Sequence, residues 1–193
     1  MTKKEPAQFC PANKHEWRNW LKINHQNEDA VWLIMYKKAS PKHNLNWSAA
    51  VDEALCFGWI DSTKRPIDEE KFMQFFSKRK NTSTWSKINK EKVARLGEKG
   101  LMADAGKRMI AIAKENGNWT ILDSVEALVV PADLEAKLAA FDGAKEFFES
   151  LSKSAKKGLL HWVVMAKRAE TRQKRNEEIA SNASQKMKPK ALR

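Results

Sequence analysis

Two periods alternate along the chain, and the places where one gives way to the other mark its elements. In NKHEWRNWLKINH, residues 13–25, Trp17, Trp20 and Leu21 stand at helical spacing behind Asn13, with Glu16 three residues on as in a capping box. AVWLIMYKK follows, apolar at both parities from Val31 to Tyr36, and predicts a strand covered on both faces. After the turn-rich PKHNLN, where Asn44 or Asn46 can cap, Trp47, Ala50, Val51, Ala54 and Leu55 recur at i, i+3, i+4, i+7 and i+8 and predict a core-facing helix. Gly58 then suits the left-handed residue that closes a helix, since it has no Cβ to clash. WIDSTK alternates as a strand, RPIDEE makes a turn, and KFMQFFS is its hairpin partner. Trp59 and Asp61 share a parity and so a face. A parallel arrangement of the first two strands, joined by a right-handed crossover, is the expected topology.

Beyond Ser77 only the helical period continues. Thr84 or Ser86 can cap a helix whose core positions are Ile88, Val93 and Leu96, with Gly100 as its stop. Asp104 is placed to cap the next, which carries Met109, Ile112 and Ala113 and closes at Gly117. A looser link precedes Pro131, which opens PADLEAKLAAF; Asp142 can cap GAKEFFESL, and Ser152 or Ser154 can cap AKKGLLHWVVMAKR. A last basic helix spans Thr171 to Ile179, with fraying expected from Ser181. The expected fold is therefore α+β: a small mixed sheet with flanking helices on a β-α-β-β core, followed by a C-terminal helical region. The corresponding domains are residues 1–125 and 126–193.

Composition narrows the class without changing this picture. A chain of 193 residues with 42% hydrophobic and 31% charged residues can bury a real core, and its 7 Gly and 6 Pro are too few for a disordered or fibrous protein. The N-terminus has no apolar run after its lysines and no segment is long enough for a membrane span, so the expectation is a cytoplasmic protein. Cys10 and Cys56 are too few for a disulfide framework, which agrees with a reducing compartment. The formal net charge of +12 is uneven: residues 151–193 hold twelve Lys and Arg against three Glu. An anionic partner, whether acidic protein, anionic ligand or nucleic acid, fits such a surface.

Several spaced motifs, VDEALCFGWIDS, SKRKNTSTWSKIN, NGNW followed by VPADLEAKLAAF, and AKRAETRQKR, together resemble the YdeI/OmpD-associated family of bacterial proteins, also described as bacteriocin-protection proteins. The likeness runs from about Trp17 to Arg175. It implies a helical C-terminal segment, about 130–179, that forms its own OmdA-like domain. It also implies a stress-related role in tolerance of bacteriocins and cationic antimicrobial peptides, with no established enzymatic activity. One departure stands at Ala169, where family members often place a proline ahead of ETR. Because the chain is itself cationic, it repels a polycationic peptide, which argues against direct sequestration.

Three sets of residues are candidates for function. Trp59, Asp61, Arg79, Trp85, Ser86 and Asn89 combine an aromatic wall, one acid, one base and a helix N-terminus, which suits an anionic ligand. The competing reading is that Ser86 caps, the tryptophans pack, and Asp61 pairs with Arg79 as a structural bridge. Lys167, Arg168, Arg172, Lys174 and Arg175 form the second set, with Arg168, Arg172 and Arg175 on one helical face as a phosphate-tracking surface requires. The third is Asp61 alone, as acid or base of a small-molecule enzyme. Cys56 lies beside an apolar stripe and reads as a structural thiol. His15, His25, His43 and His161 lack metal spacing, and no cofactor fingerprint or Gly-rich phosphate loop is present. The expectation is thus an accessory or binding protein, with nucleic-acid binding by the C-terminal helices and Asp61-based catalysis as alternatives.

Overall fold

The computed structural model describes residues 5–189. Backbone contacts divide the chain between Trp119 and Thr120 into two compact units, each with its own hydrophobic core. The N-terminal unit runs β1 (Ala7–Phe9), α1 (Lys14–Asn24), β2 (Ala30–Tyr36), α2 (Trp47–Cys56), β3 (Trp59–Pro66), β4 (Lys71–Lys78), α3 (Lys87–Glu98) and α4 (Asp104–Glu115). Its strands form one mixed sheet in the order β1-β2-β4-β3, and the chain as a whole is α+β with a helical C-terminal part.

Strands β2 and β3 are not neighbours. Strand β4 lies between them, antiparallel to both, so the two run parallel as expected but without a shared ladder. Among the described residues the only parallel ladder joins β1 to β2, pairing Ala7 with Val31 and Phe9 with Leu33. Three residues of β1 are too few to show a period, which is why it does not stand out in the sequence. The expectation that β2 is covered on both faces is corrected. Val31, Leu33 and Met35 are buried, whereas Trp32, Ile34 and Tyr36 are only partly buried on the other side.

The helices gather on the buried side. Trp17 and Leu21 of α1 meet Ala50, Val51, Ala54 and Leu55 of α2 over Leu33 and Phe76, and the Trp17 indole donates to the Ala50 carbonyl at 3.0 Å. Asn13 caps α1, Asn46 caps α2 and Ser86 caps α3, each through its side-chain oxygen. Two assigned core positions lie outside: Trp47 is 51% exposed and Ile88 65% exposed, both in the first turn of their helices. Asp104 does not cap α4. The N-cap is Ala103, and Asp104 is the first residue of the helix. One carboxylate enters the core: Glu53, 1% exposed, takes Arg18 at 2.5 Å and Lys14 at 3.0 Å, while Arg18 also donates to the Leu101 carbonyl at 2.7 Å.

The end of α2 and the start of α4 are pressed together. Ala103 donates its amide to the Cys56 carbonyl at 3.0 Å, and a Cβ on Gly106 would stand 2.3 Å from that same oxygen. Gly58, at φ 74°, turns the chain out of α2 directly into β3.

Among the described residues the secondary structure of the C-terminal unit is all helical: α5 (Asp123–Glu126), α6 (Ala132–Ala139), α7 (Ala144–Ser150), α8 (Lys153–Val164) and α9 (Ala169–Ser184). Leu134, Leu138, Phe148, Leu159, Leu160, Val163 and Ile179 form its core. Ser152 caps α8; α7 starts instead from Gly143 in the left-handed region, and Asp142 makes no cap. With alanine at 169, α9 begins at that residue, and it continues through Ser184 because Ala180 and Ala183 are buried. Fraying from Ser181 is therefore corrected, and the four residues after Pro189 lie outside the described chain. Arg172 grips Asp133 with two bonds, at 2.6 and 2.8 Å, and the buried Asn176 amide adds a third at 2.8 Å.

Gly106→Ala separates local propensity from packing. In an unconstrained helix the change stabilises by up to about 1 kcal/mol. Against the Cys56 carbonyl it should cost about 2–3 kcal/mol, read as a lower denaturation midpoint of the N-terminal unit. The Asp133 contact yields a pH signature. Arg172 foremost, with help from Asn176, holds the Asp133 carboxyl down at about 2. A carboxyl lowered in the folded state stabilises fully above its unfolded value of about 3.9. That contribution fades as pH falls through the window down to about 2. Hydrogen-exchange protection of α6 and α9 should decline across this window, and Asp133→Asn should abolish the decline.

Candidate functional site

The six residues singled out from the sequence divide into two groups. Trp59 and Arg79 line one cleft of about 660 Å³ in the N-terminal unit, whereas Asp61, Trp85, Ser86 and Asn89 lie outside its lining. Trp59 is fully buried at the start of β3 and donates its indole N–H to the His25 carbonyl at 3.3 Å, so it forms a wall of the cleft. Arg79 follows β4, where its amide donates to the Gly58 carbonyl at 2.9 Å and fixes the residue beside the helix exit. Trp85 is buried beneath it: the guanidinium sits 3.8 Å from the Trp85 ring centroid, and Trp119 packs 5.2 Å away on the same indole.

Asp61 does not bridge to Arg79. Its Oδ2 accepts from the Trp47 indole at 3.1 Å and from the Gln74 amide at 3.5 Å, tying α2 to the sheet edge. The Asp61 charge still acts on Arg79 through space, although without an ion pair between them. Ser86 and Asn89 serve the helix itself, the Ser86 hydroxyl accepting from the Asn89 amide at 3.3 Å.

Arg79 carries the unusual chemistry. It is 6% exposed, and burial pulls its guanidinium down to about 10, opposed by the Asp61 charge. The group is therefore still a cation at neutral pH. Nη1 donates to the Thr84 carbonyl at 3.1 Å, but Nε is buried with no hydrogen-bond partner. A buried N–H of a charged group normally finds an acceptor, since leaving it unpaired costs about 1–3 kcal/mol or more.

The rest of the cleft adds positive potential. Helix α4 opens into it with Ala103, Asp104 and Ala105, and no side chain caps that terminus. Its first-turn amides and the positive end of the helix dipole favour negative charge. Arg108, one turn on, is exposed on the rim, and Lys78 lines the other side while donating to Gln26 and Asp29. The opposing charge is Asp104, whose side chain is turned toward Lys107 at 3.5 Å. Arg79, Arg108 and a helix N-terminus, with Lys78 already paired to Asp29 and Asp104 to Lys107, can hold a phosphate or carboxylate group. Periodicity did not reveal Arg108 or the α4 terminus as part of a site. The signal was present in the small residues of ADAG, which permit the close approach of α4 to α2.

The C-terminal basic cluster is largely engaged within the protein. Arg172 is committed to Asp133, Lys174 pairs with Glu170 at 2.8 Å, and Arg175 donates to the Trp162 carbonyl while lying over its ring. Lys167 and Arg168 are exposed, at and just before the start of α9. Helical spacing put Arg168, Arg172 and Arg175 on one face, but two of them turn inward to partners. Cys56 is fully buried, and burial pushes its thiol up, as expected of a structural cysteine.

No helix among the described residues is long and apolar enough to cross a membrane. Residues 127–186 match the family described as Bacteriocin-protection, YdeI or OmpD-Associated, so the likeness read from Trp17 onward is found in the C-terminal unit. No curated protein and no solved structure matches the chain. Residues 9–109, over half of the sequence, match the family described as Domain of unknown function (DUF8412), and the chain belongs to that family.

Proposed function

We propose that the chain is a cytoplasmic, non-enzymatic binding protein of the YdeI/OmpD-associated type whose N-terminal unit takes up a small anionic ligand. The observation that carries this reading is the Arg79 guanidinium, buried and cationic with an unpartnered Nε, in a cleft where α4 begins without a side-chain cap. A ligand anion there would meet the field of the buried cation and the first-turn amides together, in a setting where charge-assisted hydrogen bonds are strong. Its role in tolerance of antimicrobial peptides would then be indirect, since a carrier of net charge +12 repels polycations. Catalysis by Asp61 draws less support, because that carboxylate is held by Trp47 and Gln74 outside the cleft. Nucleic-acid binding through the C-terminal helices is likewise weakened by the inward commitments of Arg172 and Arg175.

Thermal unfolding in the presence of citrate or pyrophosphate, matched to chloride at equal ionic strength, tests the cleft. A ligand at a hundred times its Kd should stabilise the unit by about 2.7 kcal/mol. Arg108→Gln, on the exposed rim, should weaken binding by about threefold to tenfold without lowering intrinsic stability. Arg79→Gln should remove the response. Equal responses to all anions, unchanged in both variants, would rule the cleft out.

Mixing the protein with a short polylysine peptide at low salt provides a separate check on the indirect role. Calorimetry should show no binding heat. Saturable binding would mean that the protein captures cationic peptides itself.

A further inference from the structure

The opposite face of the N-terminal sheet is built for a different purpose. Trp32, Ile34 and Tyr36 of β2 and Met73 and Phe75 of β4 all point away from the helices, are only partly buried, and belong to neither hydrophobic core. Cross-strand pairing places Trp32 opposite Phe75 with ring centroids 4.8 Å apart, and Ile34 opposite Met73. Such pairs support a sheet, but five large apolar side chains on one open face exceed what a solvated antiparallel sheet normally carries, since its outer positions are usually polar.

Charge decides what kind of partner suits this face. Arg65, exposed on β3 opposite Met73, lies over the Trp32 ring at 4.7 Å. Lys71, opposite Tyr36, reaches within 6.0 Å of that ring while also pairing with Asp68 at 3.2 Å. Exposed Lys37 and Lys38 continue from the end of β2. The outward positions of β2 and β4 contain no carboxylate: they are Ala30, Trp32, Ile34, Tyr36, Lys71, Met73, Phe75 and Ser77. A second protein with an apolar face has no use for an Arg65 that makes no ion pair among the described residues. A polyanion with flat, apolar rings does.

We propose that this face binds single-stranded nucleic acid, with unstacked bases on Trp32, Phe75 and the Arg65 guanidinium plane and the phosphates tracking Arg65, Lys71, Lys37 and Lys38. Aromatic side chains on an open sheet give each base a π-face, and a guanidinium can stack as well as neutralise phosphate. A duplex keeps its bases stacked on one another and offers this surface only its phosphates. The site is independent of the anion cleft, sharing none of its residues.

Fluorescence anisotropy of a labelled oligothymidylate with the full chain, titrated with salt, is the test. Binding should be stronger than to a duplex of equal length and should weaken with salt. Trp32→Leu with Phe75→Leu keeps the apolar volume but removes the rings, and should weaken binding by about tenfold or more at unchanged salt slope. Arg65→Gln should lower affinity and flatten the salt slope. If the double variant loses its cooperative unfolding transition, Trp32→Phe takes its place and should retain most of the affinity, with Arg65→Gln still weakened. No binding at low salt overturns the proposal. So does equal or tighter binding of duplex, which means polyanion adhesion, or leucine variants that bind as the parent does. Sedimentation of the parent and leucine variants covers the remaining occupant: a dimer that the leucine changes dissociate, with no change in oligonucleotide affinity, assigns the face to a second copy.

Discussion

The N-terminal unit depends on how closely α4 approaches the end of α2. A backbone carbonyl, Cys56 O, receives the Ala103 amide and lies where a side chain at position 106 would have to be. Only glycine permits this contact. The carbonyl end of one helix thereby meets the amide end of the next, an arrangement in which the two dipoles attract. Because Gly58 sends the chain into β3 at the same point, with Met109 and the Ala105 carbonyl close against it, the start of β3, the residue after β4 and the first turn of α4 converge. The cleft is the space left by that convergence.

Buried charge is treated in two ways around this junction. Glu53 enters the core with Arg18 and Lys14 on its oxygens, and Asp52 on the same helix holds Lys92 at 2.5 Å and Arg95 at 2.6 Å. These acids are matched by cations, which is the condition under which burial of charge is tolerated. Arg79 is not matched in that way. It has a carbonyl, an indole face and a distant carboxylate, with one N–H left over. Glu53 and Asp52 are matched whereas Arg79 is left incompletely satisfied, and that contrast supports the proposal of a ligand in the cleft.

What the sequence disclosed follows from what each signal measures. Helical periodicity located α1, α2, α3, α4 and α9, and alternation located the β3–β4 hairpin, because both periods report the direction of burial over several residues. Sheet order was not accessible, since the same strands pair equally well by pattern whichever neighbour β4 takes. Strand β2 shows the limit most clearly: its run of apolar residues was read as burial on two faces, whereas half of them form an open face. Apolar character states a preference for burial but not whether the protein itself provides the cover. Trp59 was singled out beside the glycine turn, and Arg79 as the base of a set with Asp61 and the helix start at Ser86, of which only Trp59 and Arg79 line the cleft. Arg108 was missed because its role comes from the position of α4, which a single glycine sets through space.

Net charge is the last quantity that changes meaning once the fold is known. Counted along the sequence, the excess lies toward the C-terminus, and that is where an electrostatic interface was expected. In the folded chain Arg172 and Arg175 are held against Asp133 and Trp162, so they carry charge but cannot rearrange onto a partner without losing those bonds. Arg65 and Arg108 contribute no more to the total than these do, yet each is exposed and makes no ion pair among the described residues. A diffusing anion is drawn by the whole field, but it is held only where a cation can exchange water for ligand. By that criterion Arg65 and Arg108 support the two surfaces proposed for the N-terminal unit, although most of the sequence's excess charge lies elsewhere and Lys167 and Arg168 are exposed there.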